Sequence, residues 1–190
     1  ITPIPAAWQN PFTDVSESNW FYSDVEFVHI KGLFYGTSKT TFSPNEPMTR
    51  AMLVTVLWQQ SGAPIVGGNT FKDVAKDAYY ANAVNWAVQN GITQGMGNNL
   101  FVPDMEITRE QMVTFLWNYA KFSNIDVSVD EDTNILAFTD VLEISDYAIS
   151  AIQWAFEENI IQGRPNAILD PQGGATRAEV AAMLHRFLEE

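Results

Sequence analysis

The sequence predicts an all-α fold built from three copies of one helical repeat. Shifting the chain by 59 positions aligns residues 12–58 with residues 71–117 without a gap, and 14 of these 47 residues are identical. That number is several times what average amino-acid composition gives by chance. A third copy begins at residue 138, with one residue inserted between Val141 and Tyr147. Apolar residues recur with helical spacing inside the copies, so each copy is predicted to form a helical hairpin.

The repeats divide the 190-residue chain into an N-terminal extension, residues 1–11, and three units at residues 12–61, 71–121 and 138–190. A unit of roughly 50 residues is too small to bury two apolar helix faces by itself. The three units are therefore expected to pack together as one cooperative domain.

The first helix of each copy is recognised by its apolar period and by the way it ends. In the second copy, the apolar residues between Ala83 and Val88 follow a helical period and not a strand period. Gly32, Gly91 and Asn159 stand at equivalent positions after these helices, and each precedes Leu or Ile. A left-handed residue followed by an apolar one is a common helix stop.

The second helix of each copy begins at a Thr-Arg pair, within the segments PMTRAMLVTVLW, EITREQMVTFLW and GATRAEVAAMLH. Thr49, Thr108 and Thr176 occupy the N-cap position that Thr favours. Gln111 and Glu179 stand three residues later and predict capping boxes in the second and third copies. The apolar residues behind each cap repeat at helical spacing and are predicted to form the core.

Composition excludes several classes of partner. Ten Lys plus Arg stand against 23 Asp plus Glu, a formal net charge of -13. A surface for nucleic acid needs clustered basic residues, so no nucleic-acid partner is expected. No run of residues approaches the ~20 consecutive apolar positions that span a bilayer, so membrane insertion is not expected either. The chain has no Cys and therefore no disulfide and no Cys-based zinc site.

The segment between the second and third units, Asn118 to Ala137, is acidic around DVSVDEDTN. Counted from Asp130, a calcium-binding EF-hand loop would need Gly at Ile135 and Glu at Val141. Neither requirement is met, so no metal and no cofactor is expected. The segment is interpreted as a solvated linker.

The sequence gives no indication of a catalytic site, which would need an acid beside a base or a nucleophile beside its activator. Asp14, Asp73 and Asp140 recur once per repeat, as scaffold residues do. His29 and His185 occupy positions that other copies fill with apolar residues and are interpreted as packing residues. No carboxylate pair suited to glycoside hydrolysis stands out. The protein is not expected to be an enzyme.

An arginine at the first helical position of each copy, Arg50, Arg109 or Arg177, needs its own explanation. A cation there meets the positive end of the helix dipole, at a cost of roughly a few tenths of a kcal/mol when exposed. One interpretation pairs each arginine with the Asp of a Phe-x-Asp-Val motif or with another carboxylate. The other is an anion site made of the guanidinium and the free N–H groups of the helix start. Three of only ten basic residues stand at this position, which favours the anion site.

These motifs resemble those of tandem S-layer homology domains. The likeness is carried by FTDV, FKDV and FTDV; by GLFYG, GITQG and NIIQG; by FSP, FVP and LDP; and by TRAM, TREQ and TRAE. The resemblance implies three repeats packed as a pseudo-threefold, three-pronged spindle with ligand grooves between neighbouring repeats. It also implies an extracellular bacterial module that attaches a larger secreted protein non-covalently to secondary cell-wall polysaccharide, often pyruvylated.

The resemblance further implies which residues bind the polysaccharide. The expected contacts are Arg50, Arg109 and Arg177 on the acidic sugar, Trp20, Tyr79 and Tyr147 as groove aromatics, and Gly32 and Gly91 where the backbone approaches closely. Each aromatic residue has a second interpretation, as an anchor between helices. Arg109 ranks first because its repeat has a neighbour on both sides. Met52 and Gln111 depart from the family's Glu, and Asn159 departs from its Gly. A protein-interaction module in surface-layer or scaffold assembly is the alternative function.

Overall fold

The computed structural model describes residues 8–68 and 71–189 and confirms the all-α fold. Its six α-helices are α1 (Tyr22–Ile30), α2 (Arg50–Gln60), α3 (Ala81–Gln89), α4 (Arg109–Phe122), α5 (Ile149–Glu157) and α6 (Arg177–Leu188). Three short 3₁₀ turns precede α5, at Ile135–Ala137, Val141–Glu143 and Asp146–Ala148. Within the described ranges β-structure is limited to isolated bridges. None of the helices in these ranges has the length and apolarity that a membrane span requires.

The threonine caps form as predicted at all three second helices. The hydroxyl oxygens of Thr49, Thr108 and Thr176 each accept the main-chain N–H three residues later, at 3.3 Å. In the third copy the Glu179 carboxylate also accepts the N–H of Thr176 at 2.9 Å, which closes a capping box. The box predicted at Gln111 does not form. Its side-chain oxygen is buried and has no hydrogen-bond partner among the described residues.

The predicted stops of the first helices are confirmed. Gly32, Gly91 and Asn159 have positive φ values of 65°, 69° and 55°. After Gly91, the N–H of Ile92 reaches back to the Ala87 carbonyl at 2.8 Å, as in a Schellman motif. Asn in the third copy adopts the same left-handed conformation as the two glycines, so the substitution preserves the turn.

The packed helix pairs form between repeats. Helix α2 of the first repeat packs on α3 of the second, α4 packs on α5, and α6 of the third repeat packs on α1 of the first. This pairing differs from the hairpin expected within each copy. Each second helix covers its apolar face with the first helix of the following repeat, and the contact of α6 with α1 closes the cycle. The three-pronged spindle stays a prediction.

Main-chain hydrogen bonds join the starts of the second helices in a closed ring. The N–H of Met48 donates to the carbonyl of Ala175 at 3.0 Å, that of Ala175 to Ile107 at 2.9 Å, and that of Ile107 to Met48 at 2.9 Å. The three residues hold equivalent positions in the repeats, and all three are buried. Because each bond crosses a repeat boundary, the ring exists only when all three repeats are assembled.

The acidic segment between the second and third repeats is packed on the domain over part of its length. Val127 and Val129 are partly buried against the core. The Glu157 carboxylate accepts the N–H of Asp130 at 3.0 Å and the hydroxyl of Thr133. Val127, Val129 and Thr133 are therefore not solvated linker, whereas most of the residues between 123 and 134 are exposed, as the interpretation as a linker expects. In the described ranges, no group of three or more His, Cys, Asp or Glu side chains is arranged to hold a metal ion.

The part of the N-terminal extension that the structure describes packs on the first repeat, whereas residues 1–7 lie outside the described ranges. Trp8 Nε1 donates to Nδ1 of His29 at 3.1 Å. His185 does more than pack: its ring stacks on Phe27, and its Nδ1 lies 2.7 Å from the Asp24 carboxylate. It therefore links α6 to α1 through a polar contact as well.

Candidate ligand-binding clefts

The three repeat arginines are buried and donate to main-chain carbonyls of another repeat. Their exposed fractions are 2% for Arg50, 2% for Arg109 and 6% for Arg177. The Nε and Nη2 atoms of Arg50 donate to the carbonyls of Phe101 and Gln94 at 3.0 and 2.9 Å. The equivalent acceptors are Leu169 and Gln162 for Arg109, and Phe42 and Tyr35 for Arg177. Each arginine therefore fixes the loop that precedes a second helix.

The motif aspartates hold the same loops from the other side. Asp14 accepts the main-chain N–H of Phe42 at 2.8 Å and of Ser43 at 2.7 Å. Asp73 and Asp140 make the equivalent pairs of bonds in their own repeats. Direct pairing of the arginine with a motif aspartate, the first of the carboxylate partners suggested above, is therefore not observed. In each loop one residue is held on both sides. Its N–H donates to the aspartate of its own repeat, and its carbonyl accepts from the arginine of another repeat.

The helix starts do not supply the free N–H groups of the anion-site interpretation. The N–H of Arg50 donates to the Met105 carbonyl and that of Ala51 to the Pro103 carbonyl, both at 3.0 Å. The Thr49 hydroxyl accepts the following N–H, that of Met52. The other two helices repeat this arrangement. The main-chain half of the expected anion site is thus occupied by the protein itself, and side chains must bind any anion.

Only one of the three arginines has a carboxylate partner in the described part of the chain. Nη1 of Arg109 lies 3.1 Å from Oε1 of Glu179, whereas Arg50 and Arg177 form no ion pair there. Burial lowers the pKa of Arg50 to about 10 and also lowers the pKa of Arg109 and Arg177. All three remain cationic at neutral pH.

Arg109 lies in a cleft of about 360 Å³, here called the Arg109 cleft. Its walls come from all three repeats: Arg109 from the second, α6 and the loop before it from the third, and Trp20 from the first. The lining residues are Trp20, Arg109, Gln162, Gly163, Arg164, Pro165, Glu179, Ala182, Met183 and Arg186. Trp20 is 63% exposed, and its ring meets that of Phe21 nearly at right angles, with 5.3 Å between the ring centres.

The Arg109 cleft concentrates positive charge in a strongly acidic protein. It holds three of the ten basic residues of the chain, Arg109, Arg164 and Arg186. Arg164 bridges Glu179, at 2.9 Å, and Asp170, while its side chain stays 38% exposed. Arg186 donates to the Ile160 carbonyl at 3.2 Å. Desolvation raises the pKa of Glu179, but hydrogen bonds from Thr176 and Arg164 outweigh it and lower that pKa.

Arg50 lies in a second cleft, of about 470 Å³, here called the Arg50 cleft. Its lining residues are Arg50, Gly91, Ile92, Thr93, Gln94, Gly95, Met96, Gln111, Thr114, Phe115, Trp117, Asn118 and Tyr147. The Tyr147 hydroxyl donates to the buried Glu110 carboxylate at 2.7 Å, while the residue stays 55% exposed. Burial and this hydrogen bond raise the pKa of Tyr147, so its hydroxyl is neutral at physiological pH.

The two clefts are equivalent under the repeat. Each combines the arginine of one repeat, the loop and second helix of the next, and the aromatic residue of the remaining one. The structure therefore brings Arg109 together with Trp20, and Arg50 together with Tyr147. The clefts draw on three repeats, where the resemblance implied grooves between two neighbours.

The remaining predicted site residues lie as follows. Tyr79 is 65% exposed and stacks edge-on against Tyr80. Gly91 lines the Arg50 cleft, and a Cβ added to it would meet nothing within 4 Å. A Cβ added to Gly32 would lie 3.1 Å from the Tyr35 hydroxyl. At both glycines the left-handed backbone, more than lack of space, explains the residue.

Sequence reasoning missed several residues of the clefts. The second glycine of the GITQG motif, Gly95, is the one with no room, because an added Cβ would lie 2.4 Å from the ring of Phe71. Gly36 and Gly163 meet the equivalent phenylalanines in the same way. Arg164 and Arg186 were missed because they occur in one copy only. Their charge could have identified them, because basic residues are scarce in this chain and these two flank the intact TRAE motif.

Comparison with known proteins agrees with this architecture. A profile of the S-layer homology domain matches residues 11–51, 70–113 and 137–181, which together make up more than half of the chain. The three matches coincide with the three repeats. Residues 1–10, 52–69, 114–136 and 182–190 lie outside the matches, so the later parts of α2, α4 and α6 are not covered.

Several relatives are much longer proteins. The chain is 29% identical over 184 residues to an amylopullulanase from Thermoanaerobacterium thermosulfurigenes, covering 96% of the chain and 10% of that protein. It is 30% identical over 180 residues to exoglucanase XynX from Acetivibrio thermocellus, covering 94% of the chain and 16% of that protein. It is 26% identical over 187 residues to a cellulosome-anchoring protein from the same organism, covering 95% of the chain and 39% of that protein. The chain thus spans only a minor part of each of these relatives.

Proposed function

Because the chain belongs to the S-layer homology domain family, we propose that it is a non-covalent anchoring module that binds anionic cell-wall polysaccharide in the clefts between its repeats. It acts at the bacterial cell surface, as part of a larger protein. Its relatives include a surface-layer protein, a cellulosome-anchoring protein and large polysaccharide-degrading enzymes. The module that these proteins share with the chain serves attachment.

The observation that carries the proposal is the Arg109 cleft. A buried arginine lies at its base, two further arginines line it, and an exposed tryptophan stands at its edge. Guanidinium groups bind carboxylates through paired hydrogen bonds, and aromatic rings pack on the apolar faces of sugars. An acidic sugar, such as one carrying a pyruvate ketal, matches both features. Short-range contacts are needed because the net charge of -13 repels an anionic polymer at long range.

More than one cleft on one domain favours attachment to a repetitive polymer. Once one cleft has bound, the next sugar is held close to the second cleft, which raises its effective concentration there. Retention is then firm even when each cleft binds weakly. This property suits an anchor better than a single tight site does.

The proposal is tested by co-sedimentation with purified wall polysaccharide. Arg109 itself is a poor target, because its removal would also break the bonds to Leu169 and Gln162. We expect the double substitution Arg164→Met with Arg186→Asn to weaken binding at least ten-fold. The matched control, Lys39→Met with Lys72→Met, removes two exposed cations and is expected to bind as the parent does.

Chemical removal of the acidic substituents from the polysaccharide is expected to weaken binding of the unsubstituted protein as much as the double substitution Arg164→Met with Arg186→Asn does. Unchanged binding after that treatment would contradict an anionic ligand. Equal losses in both double variants would show that net charge, and not the cleft, is responsible. Circular dichroism of each variant verifies that the fold is retained.

A second candidate function, a protein-interaction module, has one specific observation in its favour. Leu136 and Leu142 are 75% and 96% exposed and line an open cleft of about 630 Å³ with Ile149. Exposed apolar patches of this kind commonly mark protein contacts. If this surface carried the function, Leu142→Ser would abolish surface attachment, and the parent would not bind purified polysaccharide at all.

A further inference from the structure

The Arg50 cleft and the Arg109 cleft hold equivalent places but present different chemistry. Arg164 and Arg186 of the Arg109 cleft correspond to Met96 and Asn118 in the Arg50 cleft. Apart from Arg50, the residues lining the Arg50 cleft are uncharged. An anion that entered this cleft would therefore meet no second cation among the lining residues, although the ammonium of Lys121 lies nearby, 3.3 Å from the centre of the Trp117 ring. An anion in the Arg109 cleft meets two accessible cations in the lining itself.

The Arg50 guanidinium offers little of its charge to a ligand. It is 2% exposed and donates to two main-chain carbonyls. The aromatic rings of Phe101 and Phe115 flank it, with centroids 4.7 and 5.3 Å from its central carbon. Carbonyl oxygens and ring faces stabilise a buried cation without a carboxylate. Arg50 is therefore mainly a structural residue that holds the cleft open.

The remaining surface of the Arg50 cleft combines apolar and amide groups. Met96 is 49% exposed and Tyr147 is 55% exposed, and both present apolar surface. Gln111 and Asn118 place side-chain amides in the same cleft. The C–H faces of a sugar pack on such apolar groups, and its hydroxyl and acetamido groups hydrogen-bond with amides.

Two polar atoms of the residues that line this cleft lack partners in the described ranges. They are Oε1 of Gln111, an acceptor, and Nε1 of Trp117, a donor. A buried polar group without a hydrogen bond destabilises the protein that contains it. A sugar hydroxyl or acetamido group would satisfy either atom after a side-chain rotation, since these groups both donate and accept.

We propose that the Arg50 cleft binds an uncharged, N-acetylated sugar residue, while the Arg109 cleft binds the acidic sugar residue of the same polymer. This inference rests on the proposed function. It assigns different ligands to two clefts that the repeat makes equivalent. The module would then recognise a sequence of sugars along the polymer and not only its charge.

One tryptophan in each cleft allows the two sites to be observed separately. Trp20 reports on the Arg109 cleft and Trp117 on the Arg50 cleft through their indole N–H signals in ¹⁵N-resolved NMR. The probes are the methyl glycoside of N-acetylmannosamine and the same glycoside carrying a pyruvate ketal. We expect the neutral probe to shift the Trp117 signal, and the pyruvylated probe to bind at Trp20 at least ten-fold more tightly than at Trp117.

Exchange of equivalent residues provides the matched variants. Met96→Arg with Asn118→Arg gives the Arg50 cleft the two cations and is expected to raise its affinity for the pyruvylated probe at least ten-fold. Arg164→Met with Arg186→Asn makes the reverse exchange. It is expected to lower the affinity of the Arg109 cleft for the pyruvylated probe, observed at Trp20, at least ten-fold. The unshifted indole signals of the other tryptophans show that each variant is folded.

The inference is overturned if the neutral probe leaves Trp117 unchanged, or if Trp117 prefers the pyruvylated probe as strongly as Trp20 does. Failure of the proposed function has a different signature. In that case the parent does not sediment with wall polysaccharide, and Trp20 does not respond to the pyruvylated probe, whatever Trp117 shows.

Discussion

At the scale of single residues, the repeat arginine is explained by the loop that it holds. Phe42 shows the arrangement: its N–H donates to Asp14 of its own repeat, and its carbonyl accepts from Arg177 of another. Two charged side chains thus fix the main chain of one residue on both sides. Hydrogen bonds to charged groups contribute roughly 1.5–3 kcal/mol each, more than the few tenths that the helix dipole costs. The arginine is a structural residue first, and a cleft forms beside it.

The motif aspartates predict a specific dependence of stability on pH. Desolvation raises the pKa of Asp73 and Asp140, but main-chain N–H donors outweigh it, and the net pKa of each is lowered. A lowered pKa stabilises the fold above the unfolded pKa of about 3.9, and this stabilisation is lost as pH falls through the folded pKa. We expect Asp73→Asn to reduce the free energy of unfolding by about 1–3 kcal/mol at pH 7.

Urea unfolding at a series of pH values tests this. The difference between the parent and Asp73→Asn is expected to narrow as the pH falls below about 4, because Asp73 is protonated first in the unfolded chain and then, at its lowered pKa, in the folded protein. The exposed Asp132→Asn serves as the control and should change little at any pH. A difference that stays constant down to pH 2 would contradict the role of the charged form.

At the scale of helices, the caps show how one residue alters an element. All three second helices have a threonine cap, but only Glu179 closes a capping box, and the same carboxylate pairs with Arg109. Gln111, at the equivalent position of α4, leaves its oxygen without a partner. The neutral amide cannot form an ion pair with Arg50, and its oxygen does not make the return bond to the Thr108 N–H.

Replacement of Gln111 by Glu is therefore expected to stabilise the protein. The new carboxylate would accept the Thr108 N–H and lie close to the unpaired Arg50, and a completed cap is worth about 1 kcal/mol. Thermal unfolding at pH 7 measures the gain. The reciprocal change, Glu179→Gln, should lower stability by at least as much. Equal unfolding midpoints for the parent and Gln111→Glu would show that a carboxylate at this position does not stabilise the start of α4.

At the scale of the whole molecule, closure of the cycle couples the first repeat to the third. Helix α6 packs on α1, and Met48, Ile107 and Ala175 complete the main-chain ring. Arg177 also reaches carbonyls of the first repeat. The partners in these contacts lie far apart in the sequence, so we expect the three repeats to form one folding unit.

A chain that ends after Phe122 tests this coupling. It retains two complete repeats but loses the partners of α1, of α4 and of the ring. We expect it to lose most of its helical circular dichroism, whereas the parent unfolds in one transition whose midpoint agrees between circular dichroism and tryptophan fluorescence. A fragment with native-like cooperative unfolding would show that the repeats fold independently.

The sequence by itself determined the helices, their caps at Thr49, Thr108 and Thr176, and their left-handed stops. These features depend on residues within a few positions of one another, whose spacing can be read directly. It also determined the buried positions, because helical periodicity marks them. Gln111 shows the limit: the pattern predicted a capping box, but in the folded protein the side-chain oxygen of Gln111 does not accept the Thr108 N–H.

Tertiary structure alone decided which repeats share helices and what the arginines contact. A repeated sequence is equally consistent with hairpins inside each copy and with pairs across copies, because the same apolar faces are buried in both. Arg109 and Trp20 meet in one cleft although 88 intervening residues separate them in sequence, since the cycle closes through α6 and α1. Local patterns determine local hydrogen bonds, whereas a cleft built from three repeats depends on how all of them pack.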